Sequence, residues 1–301
     1  MKEKVGNAIL NYKFYGGSDA YSDGSIEDEL LEMVSAQQDV IKILKQDDRW
    51  PVLYHLSPVR QNIVEWYPMK EDAKVLEIGA GCGAITGALC RQAKQVVCIE
   101  LSKRRSLINA NRNQEYDNLE IFVGNFNDVV LEQKFDYITL IGVLEYAAYY
   151  TDTANPFVDF LKKIRKYLKP DGKVLIAIEN KYGLKYWSGS REDHTGIFFD
   201  GIEGYHATSS QVRTFSKTEL EKILEEAGYE ELEFYYPFPD YKFPTQIFSE
   251  KYMPQPEDVT CGRDSYDAGR MYMFNETLAY RELIASGDFA FFANSFMVEA
   301  K

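Results

Sequence analysis

The residues best placed to do chemistry begin at Glu77, in the run Glu77-Ile78-Gly79-Ala80-Gly81-Cys82-Gly83. Three glycines at alternate positions, directly after the apolar stretch Val75–Ile78, permit a sharp turn. They also let the backbone approach a ligand with no Cβ in the way. A helix that starts there offers unpaired N–H groups to a polar or anionic group. Glu100 follows the next apolar stretch, Val96–Ile99, where a carboxylate accepts two hydrogen bonds from a ribose diol. Gly79, Gly81 and Ala84 also satisfy the dinucleotide pattern G-x-G-x-x-A. The loop alone therefore leaves open a nicotinamide dehydrogenase, or a tight turn that binds nothing.

A second group lies downstream. Two of the three histidines, His194 and His206, sit in one segment with Asp193 and Glu203. An imidazole of ordinary pKa, about 6.5, takes a hydroxyl proton at neutral pH, and a neighbouring carboxylate fixes its tautomer. His194 is the first candidate base and His206 the second; the alternative is a lid loop knitted by hydrogen bonds. Glu179 and Asn180 end the fifth apolar strand, where an acceptor lies in an open α/β sheet, or they cap the next turn. Tyr54, Ser57 and Arg60 precede the loop. Arg60 could grip a carboxylate bidentately or form a surface salt bridge, and Ser57 reads as an N-cap. No His/Asp/Glu spacing argues for a metal, so metal-independent chemistry is expected.

The elements that must position these residues are legible in outline. Residues 1–27 read as a polar, Tyr/Gly-rich loop, and 28–45 as one amphipathic helix carrying Leu30, Leu31, Val34, Val40, Ile41 and Leu44. A second helix is predicted from Ser57 with Pro58 at its first position and Val59, Ile63 and Trp66 on its apolar face. From Ala73 onward short apolar runs (75–78, 96–99, 119–123, 137–141, 174–178) alternate with helical stretches such as 156–168, the pattern of a parallel sheet covered on both faces. Ser216-Lys217-Thr218-Glu219 is a capping box that opens a helix ending at Gly228. Residues 232–236 and 289–298 read as further strands. Two stretches, 181–215 and 237–288, are too long for simple connectors and read as substrate-facing insertions.

The run VLEIGAGCGAITGAL resembles motif I of class I S-adenosylmethionine-dependent methyltransferases, including the acidic residue before the first glycine. VVCIELS, VGNFND, KFDYITLIGVLEY and LKPDGKVLIAIEN resemble the motifs that follow in that family, in the same order. The resemblance covers about residues 50–236 and implies S-adenosylmethionine as cofactor and S-adenosylhomocysteine as product. It implies that Glu77 orients the methionine ammonium, with Gly79, Ala80, Gly81 and Gly83 forming the cofactor turn. Glu100 would hold the ribose, Leu101 and Phe126 would flank adenine, and Asn125, in place of the commoner Asp, would accept from its exocyclic amine. Ile141 would run past the cofactor, and Tyr54 and Arg60 would close over it. YHLSPVRQNIVEWYP, IENKYGLKYW, EDHTGIFFDGIEGY and PFPDYKFPTQIFS further resemble methyltransferases associated with bacterial cell-surface glycan synthesis.

The implied fold is α/β: a Rossmann-like, doubly wound, mainly parallel seven-stranded sheet whose final strand is antiparallel. Residues 1–70 would form an N-terminal helical cap and 71–301 the cofactor-binding domain. A hydrophobic fraction of 45% supports a sizeable core. A formal charge of −13, without a basic run longer than Lys103-Arg104-Arg105, argues against a nucleic-acid partner and for a small-molecule or glycan acceptor. The four cysteines form no CxxC pair, and no apolar run reaches membrane-spanning length. A cytoplasmic protein with reduced thiols is expected. The aromatic residues Tyr182, Tyr186, Trp187, Phe198, Phe199 and Tyr205 crowd the first insertion and suit a sugar face or a planar ring, or simply pack the lid.

Overall fold

The computed structural model describes residues 1–17, 22, 24–262 and 269–301; parts of the 1–27 and 237–288 stretches lie outside the described residues. The chain divides into two compact units, Met1–Leu140 with Ile164–Val174, and Ile141–Lys163 with Leu175–Lys301.

The first unit holds β1 (Lys2–Val5), β2 (Ala8–Phe14), β3 (Lys74–Ile78), β4 (Gln95–Glu100), β5 (Leu119–Gly124) and nearly all of β6 (Phe135–Ile141), in the order β1-β2-β5-β4-β3-β6. All but the β1–β2 pair run parallel. Val75, Leu76, Val96, Val97 and Cys98 are fully buried in succession, as strands covered on both faces require. Asp136 pins the start of β6, accepting from the Lys74 N–H at 2.9 Å and from Lys169 Nζ at 2.7 Å.

Three sequence expectations fail here. Residues 2–14 are a β-hairpin, not a loop, turning at Gly6 (φ 57°), and β2 adds in parallel to β5. The expected helix 28–45 breaks into α1 (Ile26–Ser35) and α2 (Val40–Leu44) at Gln37 (φ 52°), because Asp39 caps α2 through the N–H groups of Ile41 and Lys42. The stretch before Ser57 is itself helical, α3 (Trp50–Leu56), and Ser57 caps only a 3-10 turn that leads into α4 (Asn62–Glu65). Trp66 is 40% exposed, while Ile63, Val64 and Tyr67 carry the buried face. Leu30, Val34, Ile43, Val52 and Leu56 share one apolar core with Cys82 of the glycine loop, which leads into α5 (Thr86–Gln92), and with Ile108 of α6 (Lys103–Arg112).

Strand β7 (Leu168–Glu179) begins in the first unit and ends in the second, which continues with β8 (Leu232–Phe238), β9 (Gln246–Ser249) and β10 (Ser295–Ala300) in the order β7-β10-β8-β9. β10 pairs antiparallel with β8, Met297 opposite Tyr235, as the family pattern implies. The described residues thus form ten strands, not seven; the additions are β1, β2 and β9. The capping box is realised, with Ser216 Oγ accepting from the Glu219 N–H and Glu219 accepting from the Ser216 N–H. The expected strand 289–298 begins instead as a helical turn, Phe289–Phe292, because Phe289 folds into the aromatic cluster of Tyr236, Phe248 and Tyr280.

Candidate active site

In the first unit the glycine turn follows β3, with Gly79, Gly81 and Gly83 all at positive φ (69°, 53° and 75°). The Gly79 N–H donates to the Ile99 carbonyl at 2.9 Å, which ties the turn to the end of β4. Two of these glycines do different work. A Cβ at Gly83 would collide with the Asn109 side chain, so its absence lets the turn pack on α6. A Cβ at Gly81 would meet nothing within 4 Å, so this residue presents bare backbone to open space, a cradle for a ligand.

Glu100 is buried and accepts from the Gly81 N–H at 2.8 Å through Oε2 and from the Ser102 N–H at 2.9 Å through Oε1. Each oxygen keeps a second lone pair for a diol. Burial pushes Glu100 above the usual carboxylate range, against the pull of Ser102, Arg105 and Gly81. Glu77 accepts from Thr86 Oγ1 at 2.6 Å and from Cys98 Sγ at 3.2 Å. Its burial pushes it up to about 7, and a ligand ammonium beside it would pull it back down.

Leu101 follows at half burial, and Ala80 is buried within the turn. Glu100 pairs with Val123 across β4 and β5, so Asn125 and Phe126 leave the sheet at the same end as Glu100. Asn125 Oδ1 accepts from the Asn127 N–H at 2.9 Å, shaping its own turn, and the buried Phe126 ring packs edge-on to Tyr167. Arg60 is buried, which removes the surface salt bridge as its role; its guanidinium lies 4.1 Å over the Tyr54 ring and donates to Tyr54 Oη at 3.2 Å. Ile141 is half-buried and opens the second unit. The cradle, the glycine turn and the two buried carboxylates fit an adenosine-bearing cofactor with an ammonium group.

The second unit contains a different kind of site. Glu145, Glu179 and His194 converge, with one ligand-type atom from each lying within 4.8 Å of the others. His194 Nδ1 lies 3.0 Å from Glu192 Oε1, and its Nε2 lies 3.8 Å from Glu145 Oε1. Glu192 also accepts from the His194 and Thr195 N–H groups, both at 2.7 Å, and this Asx-like clasp fixes the ring. Burial alone would lower the imidazole pKa, but Glu179, Glu145 and Glu192 hold it well above its ordinary value. Glu179 Oε1 accepts from Lys242 Nζ at 2.5 Å and Tyr241 Oη at 3.2 Å, and Lys242 also pairs with Asp193. Lys185 bridges Asp193 at 2.9 Å and Asp240 at 2.7 Å. The remaining oxygens, Glu145 Oε2 and Glu179 Oε2, are buried without a hydrogen-bond partner.

His206 stays apart from this cluster, exposed beside Gly204 on a turn. Asn180 caps, donating at 2.8 Å to the carbonyls of both Phe291 and Ala293. Part of the aromatic insertion packs inward: Tyr186 and Tyr205 are buried, Tyr182 stacks on Phe291, and Trp187 is exposed. Tyr205 takes φ 62° and is held by Thr214 Oγ1 at 2.6 Å and Glu192 at 3.2 Å. Glu192, Lys185, Lys242 and Asp240 were not anticipated from the sequence. Charged residues are no denser in the two insertions than in the whole chain, so composition carries no signal for them.

A family described as a methyltransferase domain matches residues 54–233. The mitochondrial ubiquinone biosynthesis O-methyltransferase of Dictyostelium discoideum is 30% identical over 131 residues, 39% of each chain. A ribosomal RNA small subunit methyltransferase A of Clostridium acetobutylicum is 36% identical over 86 residues, 29% of each chain. The matched part spans less than half the length of these curated relatives. Among solved structures, a Haemonchus contortus phosphoethanolamine N-methyltransferase, in complex with phosphoethanolamine and S-adenosylhomocysteine, is 15% identical. It covers 73% of this chain and 46% of its own, with a TM-score of 0.48. Among the described residues no helix is long and apolar enough to cross a membrane.

Proposed function

This chain belongs to the methyltransferase-domain family, and from that premise we propose that it transfers a methyl group from S-adenosylmethionine to a hydroxyl of a small acceptor, a sugar or glycan-linked molecule. The observation that carries the acceptor chemistry is the pair of buried carboxylate oxygens, Glu145 Oε2 and Glu179 Oε2, that lack a donor. A hydroxyl supplies what each is missing.

S-adenosylmethionine supplies a methyl group activated on a sulfonium. In the first unit Gly81 lends its open backbone, Glu100 holds the ribose diol and Glu77 takes the ammonium. Leu101, Asn125 and Phe126 receive the adenine, with Tyr54, Arg60 and Ile141 around the methionine end. In the second unit the acidic cluster would hold and orient the acceptor hydroxyl, since methyl transfer needs an aligned nucleophile. Because His194 is held protonated, the hydroxyl proton goes to Glu179, whose pKa burial already raises, while His194 steadies the charge. His194 is thereby a positioning group, and His206 takes no part.

The resemblance of residues 54–68, 178–187, 192–205 and 237–249 to methyltransferases associated with bacterial cell-surface glycan synthesis supports a carbohydrate acceptor. Several relatives are ribosomal RNA methyltransferases by name, but a charge of −13 favours a small acceptor over a phosphate backbone. The negative excess of the cluster favours, as a second reading, an amine acceptor. Release of S-adenosylhomocysteine across a panel of sugar nucleotides, oligosaccharides, phenols, amines and a ribosomal RNA fragment tests this. Turnover on a hydroxyl of the sugar group is expected; turnover on RNA alone, or on amines alone, contradicts it.

A further inference from the structure

We propose that Glu145, Glu179 and His194 form a binding site for one divalent first-row transition ion, of the Mn²⁺ or Zn²⁺ type. The donor atoms come from distant parts of the second unit yet lie within 4.8 Å of one another. Ligands on a common ion at about 2.0–2.2 Å are separated by about 3–4 Å, so only a small closure is needed.

Three independent features point the same way. Both glutamates are buried, at 1% and 0% exposure, and each aims an oxygen without a hydrogen-bond partner. Such an oxygen is costly in a dry interior unless a proton donor or a cation meets it. Next, the other atoms of these residues are already held in place. Lys242 and Tyr241 occupy Glu179 Oε1, and Glu192 holds the Nδ1 side of His194, leaving Nε2 toward Glu145. A carboxylate behind an imidazole is the arrangement that orients a metal-binding histidine. Finally, five carboxylates (Glu145, Glu179, Glu192, Asp193, Asp240) face Lys185, Lys242 and His194. Against the two lysine ammonium groups the five carboxylates leave a negative excess that a divalent ion reduces.

Two carboxylate oxygens and one imidazole nitrogen, without a thiolate, suit Mn²⁺, Fe²⁺ or Zn²⁺ better than Cu⁺, and the nitrogen disfavours Mg²⁺. Three protein ligands leave positions open for water or an acceptor oxygen. If the methyl-transfer reading above holds, the ion would replace the protonated His194 as the positive charge that steadies the acceptor oxygen; ion binding itself does not rest on that reading.

The test is calorimetric titration of the untagged, chelator-stripped chain with Mn²⁺ and with Zn²⁺, in two buffers of different ionisation enthalpy. One saturable site per chain is expected, releasing about one proton at neutral pH as His194 becomes neutral. Glu145→Gln and His194→Gln should each weaken it at least tenfold while the variants still bind S-adenosylmethionine, which reports that they are folded. The spectrum of bound Mn²⁺ should show nitrogen coupling that His194→Gln removes. No saturable binding to the wild-type chain, or wild-type affinity retained in both variants, overturns the site. Ion binding without turnover on any acceptor upholds the site and counts against the methyl-transfer reading alone. Turnover without saturable ion binding overturns the site alone.

Discussion

The glycine turn of the first unit and the charged cluster of the second are built on opposite plans. The turn works through backbone: Gly81 and Ser102 N–H groups grip Glu100, and the contacts of Glu77 and Glu100 join residues 2, 9, 19 and 21 positions apart. The cluster works through side chains brought from far apart, with Lys242 reaching Glu179 over 63 positions and Lys185 reaching Asp240 over 55. A backbone site is specified by local sequence and tolerates change in the side chains around it. A convergent charge site stands only while every partner is present, since each lost counter-charge strands another in low dielectric.

The contrast predicts unequal responses to mutation. Lys242→Met leaves Glu179 and Asp193 without their shared ammonium, and should cost about 3–5 kcal/mol in urea unfolding. A loss below about 1 kcal/mol would mean that the cluster is not an interdependent unit.

Of the two buried carboxylates at the turn, Glu77 sharpens the comparison. Its pKa is raised in the fold from an ordinary 4.5 to about 7. A raised acid stabilises the fold below its unfolded value, and that contribution is lost as pH rises through the folded value. Between pH 5 and 8 the wild-type chain should therefore lose about 2–3 kcal/mol that Glu77→Gln does not. Parallel stability profiles for the two proteins would remove Glu77 as the source.

Within the turn, Gly83→Ala should destabilise by about 1–3 kcal/mol, from positive φ and collision with Asn109. Gly81→Ala has the same backbone problem but open space around its Cβ. It should cost the fold less and instead weaken S-adenosylmethionine binding. Equal melting temperatures and equal affinities for the two variants would erase the distinction drawn between packing and cradle.

The same contrast explains what could be read from the sequence. Strands β3, β4 and β5 were legible because Val75–Ile78, Val96–Ile99 and Leu119–Val123 are short, mostly apolar runs, and the turn because its glycines are local. The capping box at Ser216 was legible for the same reason. The hairpin of residues 2–14 was hidden by polar strand residues, although Gly6-Asn7 is a recognisable turn pair. Trp66 and Phe289 misled because periodicity counts hydrophobicity without knowing which face meets a neighbour. Glu145, Glu179 and His194 have no telling spacing at all; only folding of the insertions brings them together.

In the proposed function the turn would bind the cofactor and the cluster the acceptor. Calorimetric affinity for S-adenosylmethionine, measured side by side on Glu100→Ala and Glu179→Gln, tests that division most directly. Glu100→Ala should weaken binding by about 1–3 kcal/mol, whereas Glu179→Gln should keep it within about twofold while releasing far less S-adenosylhomocysteine. Unchanged affinity in Glu100→Ala, or an equal loss in both variants, would contradict it.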